Sequence, residues 1–186
     1  EENSYLKIAE ELGIKRLSKE GEPPQYARHP LVYLVEAADD ICYQMMDIED
    51  AFKLKLLTFD EAKDLYQGFF DEGKKKRADE VCHLVTDKNE QIAYLRATVI
   101  GILIQECTRV FIENEAEILE GTFGNALIKC IHPALKEAYQ RCSKTALDKI
   151  YRSRDVLDIE LAGFHVISTL LELMIAVNNF SNSVQS

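Results

Sequence analysis

Residues 28–50, RHPLVYLVEAADDICYQMMDIED, constrain the fold more than any other part of the chain. Pro30 has a preset φ and no backbone N–H, so it suits the first turn of a helix. The apolar residues that follow recur at helical spacing and predict one helix of about six turns. Its buried half is expected to consist of Leu34, Val35, Ala38, Ile41, Cys42, Met45, Met46 and Ile48.

The other side of this helix carries a line of acidic residues and one tyrosine. Spacings of three and four residues keep them within a sector of about 80°; they are Glu36, Asp39, Tyr43, Asp47 and Asp50. Like charges one turn apart repel one another, and the repulsion grows when the helix is partly desolvated. The line therefore requires a divalent metal ion, a cationic partner or exposure to solvent.

The segment HPLVYLVEAADDICYQMMDIEDA resembles the signature of the deoxyguanosine triphosphate triphosphohydrolases, a family of HD-domain phosphohydrolases. The similarity continues more diffusely and covers most of residues 26–175. It implies that Asp39 ligates a divalent metal, Mg²⁺ or Mn²⁺. It also implies that Tyr43 packs against a deoxyribose, that Asp47 accepts a hydrogen bond from the 3′-hydroxyl, and that Glu160 helps to recognise the base.

The same family also requires a histidine and a His-Asp pair as metal ligands, and this chain departs from that pattern. Its four histidines, none of which precedes an aspartate, are His29, His83, His132 and His165. One carboxylate cannot hold a catalytic metal, which takes three or more protein ligands. We therefore expect residues 1–186 to be the C-terminal portion of a longer protein, inactive alone and without an assigned catalytic residue.

Composition sets the broad class of protein. The 186 residues are 47% hydrophobic and 29% charged, which fits one globular domain. A net charge of −10 argues against nonspecific binding of nucleic acid, which could enter only as a regulator. The five cysteines lack a C-x2-C pair, and no uninterrupted apolar run reaches 18 residues. These features predict a cytoplasmic protein with reduced thiols and no membrane partner.

The rest of the chain predicts further helices and no strands, hence an all-α, HD-domain-like bundle that is partial in this chain. Helices are expected over residues 1–17, 88–120 and 155–180. Another begins at Thr58 with the spacing of a capping box, and His132-Pro133 opens one more. Arg96 and Arg109 fall in an apolar helix, so each requires an acidic partner or a ligand phosphate.

Two functions from different classes follow. The resemblance implies that the protein hydrolyses dGTP, or another dNTP, to a deoxynucleoside and inorganic triphosphate, and that it forms a homo-oligomer. The alternative is a non-catalytic helical module for assembly or for a regulatory response to nucleotides. The sequence before Glu1 would distinguish them, because only the enzyme needs upstream His and His-Asp ligands.

Overall fold

The computed structural model describes residues 2–19 and 21–184, with side chains for all of these except 2, 155 and 178–184. The described residues form eight α-helices: α1 (Glu2–Glu11), α2 (Pro30–Lys53), α3 (Phe59–Gln67), α4 (Glu72–Leu84), α5 (Lys88–Glu113), α6 (Glu115–Glu120), α7 (Pro133–Thr145) and α8 (Arg154–Val184). A 3-10 helix spans Leu127–Cys130, and a π-helical segment spans Ala146–Tyr151. Extended pairing in the described ranges is limited to one isolated bridge, between Arg16 and Tyr26. The all-α prediction is confirmed.

The chain divides into two compact units, Glu1–Ser143 and Lys144–Ser186. The first unit contains α1 to α6, the 3-10 helix and most of α7. The second contains the end of α7, the π-helical segment and α8. The acidic helix of the sequence analysis, α2, lies in the first unit.

Helices α2 and α5 form the centre of the first unit and run antiparallel. Leu34, near the start of α2, borders the same cleft as Thr108, near the end of α5. At the opposite ends, Glu49 of α2 pairs with Arg96 of α5. Side chains that are almost fully buried include Tyr33, Ile41, Met45 and Ile48 of α2 and Ile92, Leu95, Val99 and Leu103 of α5. These two long apolar faces supply most of the core.

The buried face of α2 is rotated from the one that the sequence predicts. Ile41, Met45 and Ile48 are buried as expected. However, Val35 is 68% exposed and Met46 48% exposed, and Leu34, Ala38 and Cys42 are exposed as well. Buried in their place are Tyr33, Ala37, Glu49 and Ala51. The prediction was wrong at these positions because α2 is apolar around more than half of its circumference, so periodicity alone does not choose the face.

Local chemistry sets several helix boundaries as predicted. Thr58 caps α3 in a capping box, in which its side chain accepts from the N–H of Glu61 and the Glu61 carboxylate accepts from the N–H of Thr58. Asp87, which was not predicted as a cap, accepts from the N–H groups of Asn89 and Glu90 at the start of α5. Pro133 occupies the first position of α7, in line with the His132-Pro133 prediction.

Two helices end earlier than the sequence predicts. The first stops at Glu11 rather than residue 17, because Gly13 adopts a positive φ of 62° and the chain turns into the Arg16–Tyr26 bridge. The helix expected over residues 88–120 is divided at Asn114, whose side chain donates to the carbonyl of Val110. Gly121, with φ 73°, ends its second part.

The second unit is dominated by α8, which is apolar over most of its surface. Val156–Val177 is long and apolar enough to cross a membrane by length and composition, and none of it is buried. The exposed apolar side chains include Ile159, Leu161, Phe164, Ile167, Leu170, Leu171, Met174 and Val177. Helices of this kind are found both in membrane spans and in the cores of larger proteins.

Candidate functional site on helix α2

Asp39, Tyr43 and Asp47 follow one another on the side of α2 that turns away from the core. Each lies one turn after the last, so the line is about 12 Å long. Asp39 is exposed, Asp47 is partly buried, and the ring of Tyr43 is 68% exposed. The predicted site residues of this helix therefore form one continuous, accessible surface.

Further acidic residues crowd the start of this line. Burial raises the pKa of the Asp40 carboxyl above its usual range, and the negative charges of Asp39 and Glu36 raise it further. Lys129 acts in the opposite direction but does not cancel these effects. Glu36 is itself paired with Arg28. The local field therefore favours a cation beside Asp39.

Three tyrosine hydroxyls connect α2 to other segments behind this surface: two donate to backbone carbonyls of α2, and the third belongs to α2 itself. The Tyr139 hydroxyl of α7 donates to the carbonyl of Asp40 at 2.9 Å. The Tyr66 hydroxyl of α3 donates to the carbonyl of Met45 at 2.8 Å. Tyr33 donates to the carbonyl of Phe123 at 2.6 Å. The line of Asp39, Tyr43 and Asp47 is thus presented by a helix held along its length.

A buried ionic group fixes the end of α2. Glu49 is only 5% exposed and accepts from Arg96 of α5, while Lys53 lies 3.2 Å from its other carboxylate oxygen. The predicted need of Arg96 for an acidic partner is thereby met. Glu49 itself is not among the residues predicted from the sequence, although its position four residues after Met45 places it on the same face of the helix as that buried side chain.

Arg109 also has acidic partners, as predicted, but its setting is more exposed than the sequence suggested. It is not enclosed by apolar neighbours but is partly exposed on α5, where it pairs with Glu106 at 2.9 Å and with Glu113 at 2.5 Å. These partners lie three and four residues away on the same helix. Arg109 therefore obtains its acidic partners locally and does not reach the acidic line of α2.

Glu160, the fourth predicted site residue, lies on α8 in the second unit, and its side chain is exposed. It sits among apolar residues of that helix, with Ile159 and Leu161 on either side in sequence. When such an apolar surface is covered and water is excluded, a carboxylate on it must accept hydrogen bonds from other donors, because an unpaired buried charge is costly.

The described part of the chain does not contain a complete metal site. No three His, Cys, Asp or Glu side chains among the described residues are grouped closely enough to hold a metal ion. Asp39 could supply one oxygen ligand, but a catalytic divalent metal needs several. A metal at Asp39 would require ligands from outside the described residues.

Known proteins are similar to this chain over most of its length. A deoxyguanosinetriphosphate triphosphohydrolase-like protein of Synechocystis is 30% identical over 173 residues, which are 92% of this chain and 36% of that relative. A protein of the same description from Pseudomonas aeruginosa is 30% identical over 164 residues, covering 88% of this chain and 36% of the relative. The deoxyguanosinetriphosphate triphosphohydrolase of Yersinia enterocolitica is 30% identical over 181 residues, covering 89% and 35%. No family model matches the chain.

The fold and the surface of α2 define an all-α protein with an acidic candidate ligand-binding helix. The sequence relationship specifies this class further. The chain belongs to the family of deoxyguanosinetriphosphate triphosphohydrolases and proteins like them. It spans little more than a third of the length of the curated relatives that it matches.

Proposed function

We propose that this chain is part of a metal-dependent dNTP triphosphohydrolase that prefers dGTP and releases deoxyguanosine and inorganic triphosphate. The single observation that supports this most strongly is the exposed line of Asp39, Tyr43 and Asp47 on the anchored helix α2. The relatives named deoxyguanosinetriphosphate triphosphohydrolase support the reaction class.

The residues of α2 have complementary roles in this proposal. Asp39 is one ligand of a divalent cation, Mg²⁺ or Mn²⁺, and the acidic crowding around Asp40 favours a cation there. Such a metal would activate water and neutralise phosphate charge. Tyr43 provides an aromatic face for the deoxyribose, which leaves little room for a 2′-hydroxyl. Asp47, one turn further, accepts a hydrogen bond from the 3′-hydroxyl.

Glu160 is proposed to recognise the base. A guanine presents two neighbouring N–H donors on its Watson–Crick edge, and a carboxylate can accept from both. Adenine lacks that pair of donors, so a carboxylate discriminates against it. The apolar surroundings of Glu160 on α8 would strengthen these bonds once water is excluded.

The remaining metal ligands and any catalytic acid or base are proposed to lie outside these 186 residues. The test therefore uses the longest natural version of the protein, incubated with Mn²⁺ and each of the four dNTPs, with chromatography for tripolyphosphate. We expect release of tripolyphosphate, fastest from dGTP. Asp39→Ala should abolish it, whereas Tyr43→Ala should mainly raise KM.

Asp50→Ala is the matched control, because it removes the same charge from an exposed position of the same helix that has no role in the proposed binding of metal or deoxyribose. It should retain nearly full turnover. Activity of Asp39→Ala equal to that of Asp50→Ala would exclude the proposed metal ligand. Glu160→Gln, compared with Asp158→Asn on the same helix, should lose the preference for dGTP.

A second candidate function is a non-catalytic module for assembly, and the exposed apolar surface of α8 favours it. Burial of that surface against another copy of the chain would give a homo-oligomer. A homo-oligomer is also what the family resemblance implies for the enzyme. Absence of tripolyphosphate release with every dNTP, together with a concentration-dependent mass in solution, would favour the module. The proposed cytoplasmic location is compatible with either function.

A further inference from the structure

A cleft of about 260 Å³ lies at the start of α2, away from its acidic line. Its walls come from three segments: the turn after α1, the residues that lead into α2, and the end of α6. The lining residues are Leu12, Gly13, Ile14, Lys15, Ala27, Arg28, His29, Pro30 and Leu119. Pro30 precedes Asp39 by nine residues, which is about 14 Å along the helix axis.

The ionisable side chains that line this cleft are all of basic residues, whereas the protein as a whole is acidic. Lys15, Arg28 and His29 line it, and none of its nine lining residues is acidic. The chain as a whole carries a net charge of −10. A cluster of basic groups without a lining carboxylate, in so acidic a protein, favours an anionic ligand.

The cleft is preformed by contacts between its walls. Ala27 donates its N–H to the carbonyl of Lys15 at 2.8 Å, beside the Arg16–Tyr26 bridge. The Lys15 ammonium donates to the carbonyl of Glu120 at 3.3 Å, which ties this wall to the end of α6. Gly121 approaches Ala27 so closely that a Cβ atom there would lie 2.4 Å from the Ala27 Cβ. Little ordering would be needed for a ligand to bind.

Side chains, rather than the helix terminus, supply the donors. The first N–H groups of α2 are already used, because Leu31 donates to His29 Nδ1 and Val32 donates to the His29 carbonyl. Since Nδ1 of His29 is an acceptor, its ring proton lies on Nε2, which remains a donor. Arg28 is held with its guanidinium 4.4 Å from the Tyr33 ring centroid and uses one terminal nitrogen for Glu36.

We propose that this cleft binds a phosphate group, through Lys15, Arg28 and His29. Its volume is below the 300–1,000 Å³ that is usual for a drug-sized ligand, which restricts it to a small anion such as inorganic phosphate or a phosphate monoester. Three basic side chains in one place match the several acceptor oxygens of such a group. The assignment is independent of the proposed hydrolysis, since it uses none of the residues Asp39, Tyr43, Asp47 and Glu160.

The test is an NMR titration of the 186-residue chain, without divalent metal and at physiological ionic strength. Binding is monitored through the amide chemical shifts of Gly13, Lys15 and Ala27. The probes are inorganic phosphate and dGMP. We expect saturable shifts with phosphate. Tighter binding of dGMP would assign the cleft to an organic phosphate, and equal binding would assign it to the phosphate ion itself.

Lys15→Met should weaken phosphate binding by about tenfold or more, as expected for loss of a charge-assisted hydrogen bond, and Lys15→Arg should largely restore it. The matched control is Lys7→Met on α1, which removes the same charge outside the cleft. Equal weakening by Lys7→Met and Lys15→Met, or shifts that never saturate, would overturn the proposal. Asp39→Ala should leave phosphate binding in the cleft unchanged. Loss of tripolyphosphate release and loss of phosphate binding can therefore be measured independently of each other.

Discussion

The Glu49 carboxylate on α2 accepts a charge-assisted hydrogen bond from the Arg96 guanidinium on α5, and this pair connects the two central helices of the first unit. Glu49 is nearly inaccessible, with 5% of its surface exposed. Arg96 Nε is buried without a hydrogen-bond partner among the described residues. A buried charge pair stabilises chiefly by the penalty for breaking it, because a lone buried charge is costly. The pair therefore fixes the register of α2, and with it the line of Asp39, Tyr43 and Asp47.

Removal of Arg96 should destabilise the first unit more than removal of the pair. We expect Arg96→Met to lower the free energy of unfolding by about 2 to 4 kcal/mol, since Lys53 is then the one cation left beside Glu49 among the described side chains. The double variant Glu49→Gln/Arg96→Met should lose less stability than Arg96→Met alone, and therefore less than the sum of the two single variants. Urea unfolding followed by circular dichroism measures both. Strict additivity would contradict the coupling. Lys7→Met, at an exposed position of α1 outside this ionic group, is the control and should leave the free energy of unfolding nearly unchanged.

Tyr66 should make the protein sensitive to alkali. Burial raises its pKa well above the ordinary value of 10.0, and the nearby charge of Glu49 adds to the shift. Tyrosine is neutral when protonated, so the folded chain holds this proton more tightly than the unfolded chain does. Its contribution to stability is therefore complete below pH 10.0 and is lost as the pH rises towards the folded-state pKa.

Above pH 10.0, the Tm of Tyr66→Phe should accordingly fall less steeply with pH than the Tm of the wild-type protein. At neutral pH it should be less stable by about 1 kcal/mol, because the hydrogen bond to the Met45 carbonyl is lost. Thermal unfolding at a series of alkaline pH values measures both effects. Tyr5→Phe, at an exposed position, should retain the wild-type slope. An unchanged slope in Tyr66→Phe would contradict the assignment.

Short-range chemistry explains which features the sequence predicts correctly. Pro30 and Thr58 act within a single turn, so the starts of α2 and α3 follow from neighbouring residues alone. The spacing of Asp39, Tyr43 and Asp47 places them on one face of any helix, whatever packs behind it.

Long-range packing explains the features that the sequence does not predict. The exposure of Val35 and Met46 depends on where α5 lies against α2, and α2 has apolar residues on both candidate faces. The sequence likewise does not identify the acidic partner of Arg96, because Glu49 lies 47 residues away on another helix. Periodicity indicates that a face is buried, but the neighbouring helix decides which one.

The cysteines should differ sharply in reactivity. Burial raises the pKa of Cys107 to about 11 and that of Cys142 to about 12, so neither forms a thiolate at neutral pH. Cys42 is exposed on α2. We expect rapid labelling of Cys42 by a thiol reagent in the folded protein, with Cys107 and Cys142 labelled only after unfolding. Cys42→Ser should remove the fast phase, and rapid labelling of Cys142 in the folded protein would contradict its burial.

Gly121 should tolerate substitution far less well than Gly124, three residues later. Gly121 adopts φ 73° at the end of α6, a conformation that is strained for other residues, and an added Cβ would meet the Ala27 Cβ at 2.4 Å. Ala27 cannot yield without moving its own backbone, which is tied to Lys15. We expect Gly121→Ala to destabilise the first unit by about 2 kcal/mol or more.

Nothing lies within 4 Å of a Cβ built on Gly124, and its φ is not positive, so Gly124→Ala should change stability by less than about 1 kcal/mol. Because Ala27 lines the basic cleft, Gly121→Ala should also weaken phosphate binding there, whereas Gly124→Ala should not. Equal stability of the two variants in urea unfolding would show that the contact between Gly121 and Ala27 does not constrain the fold.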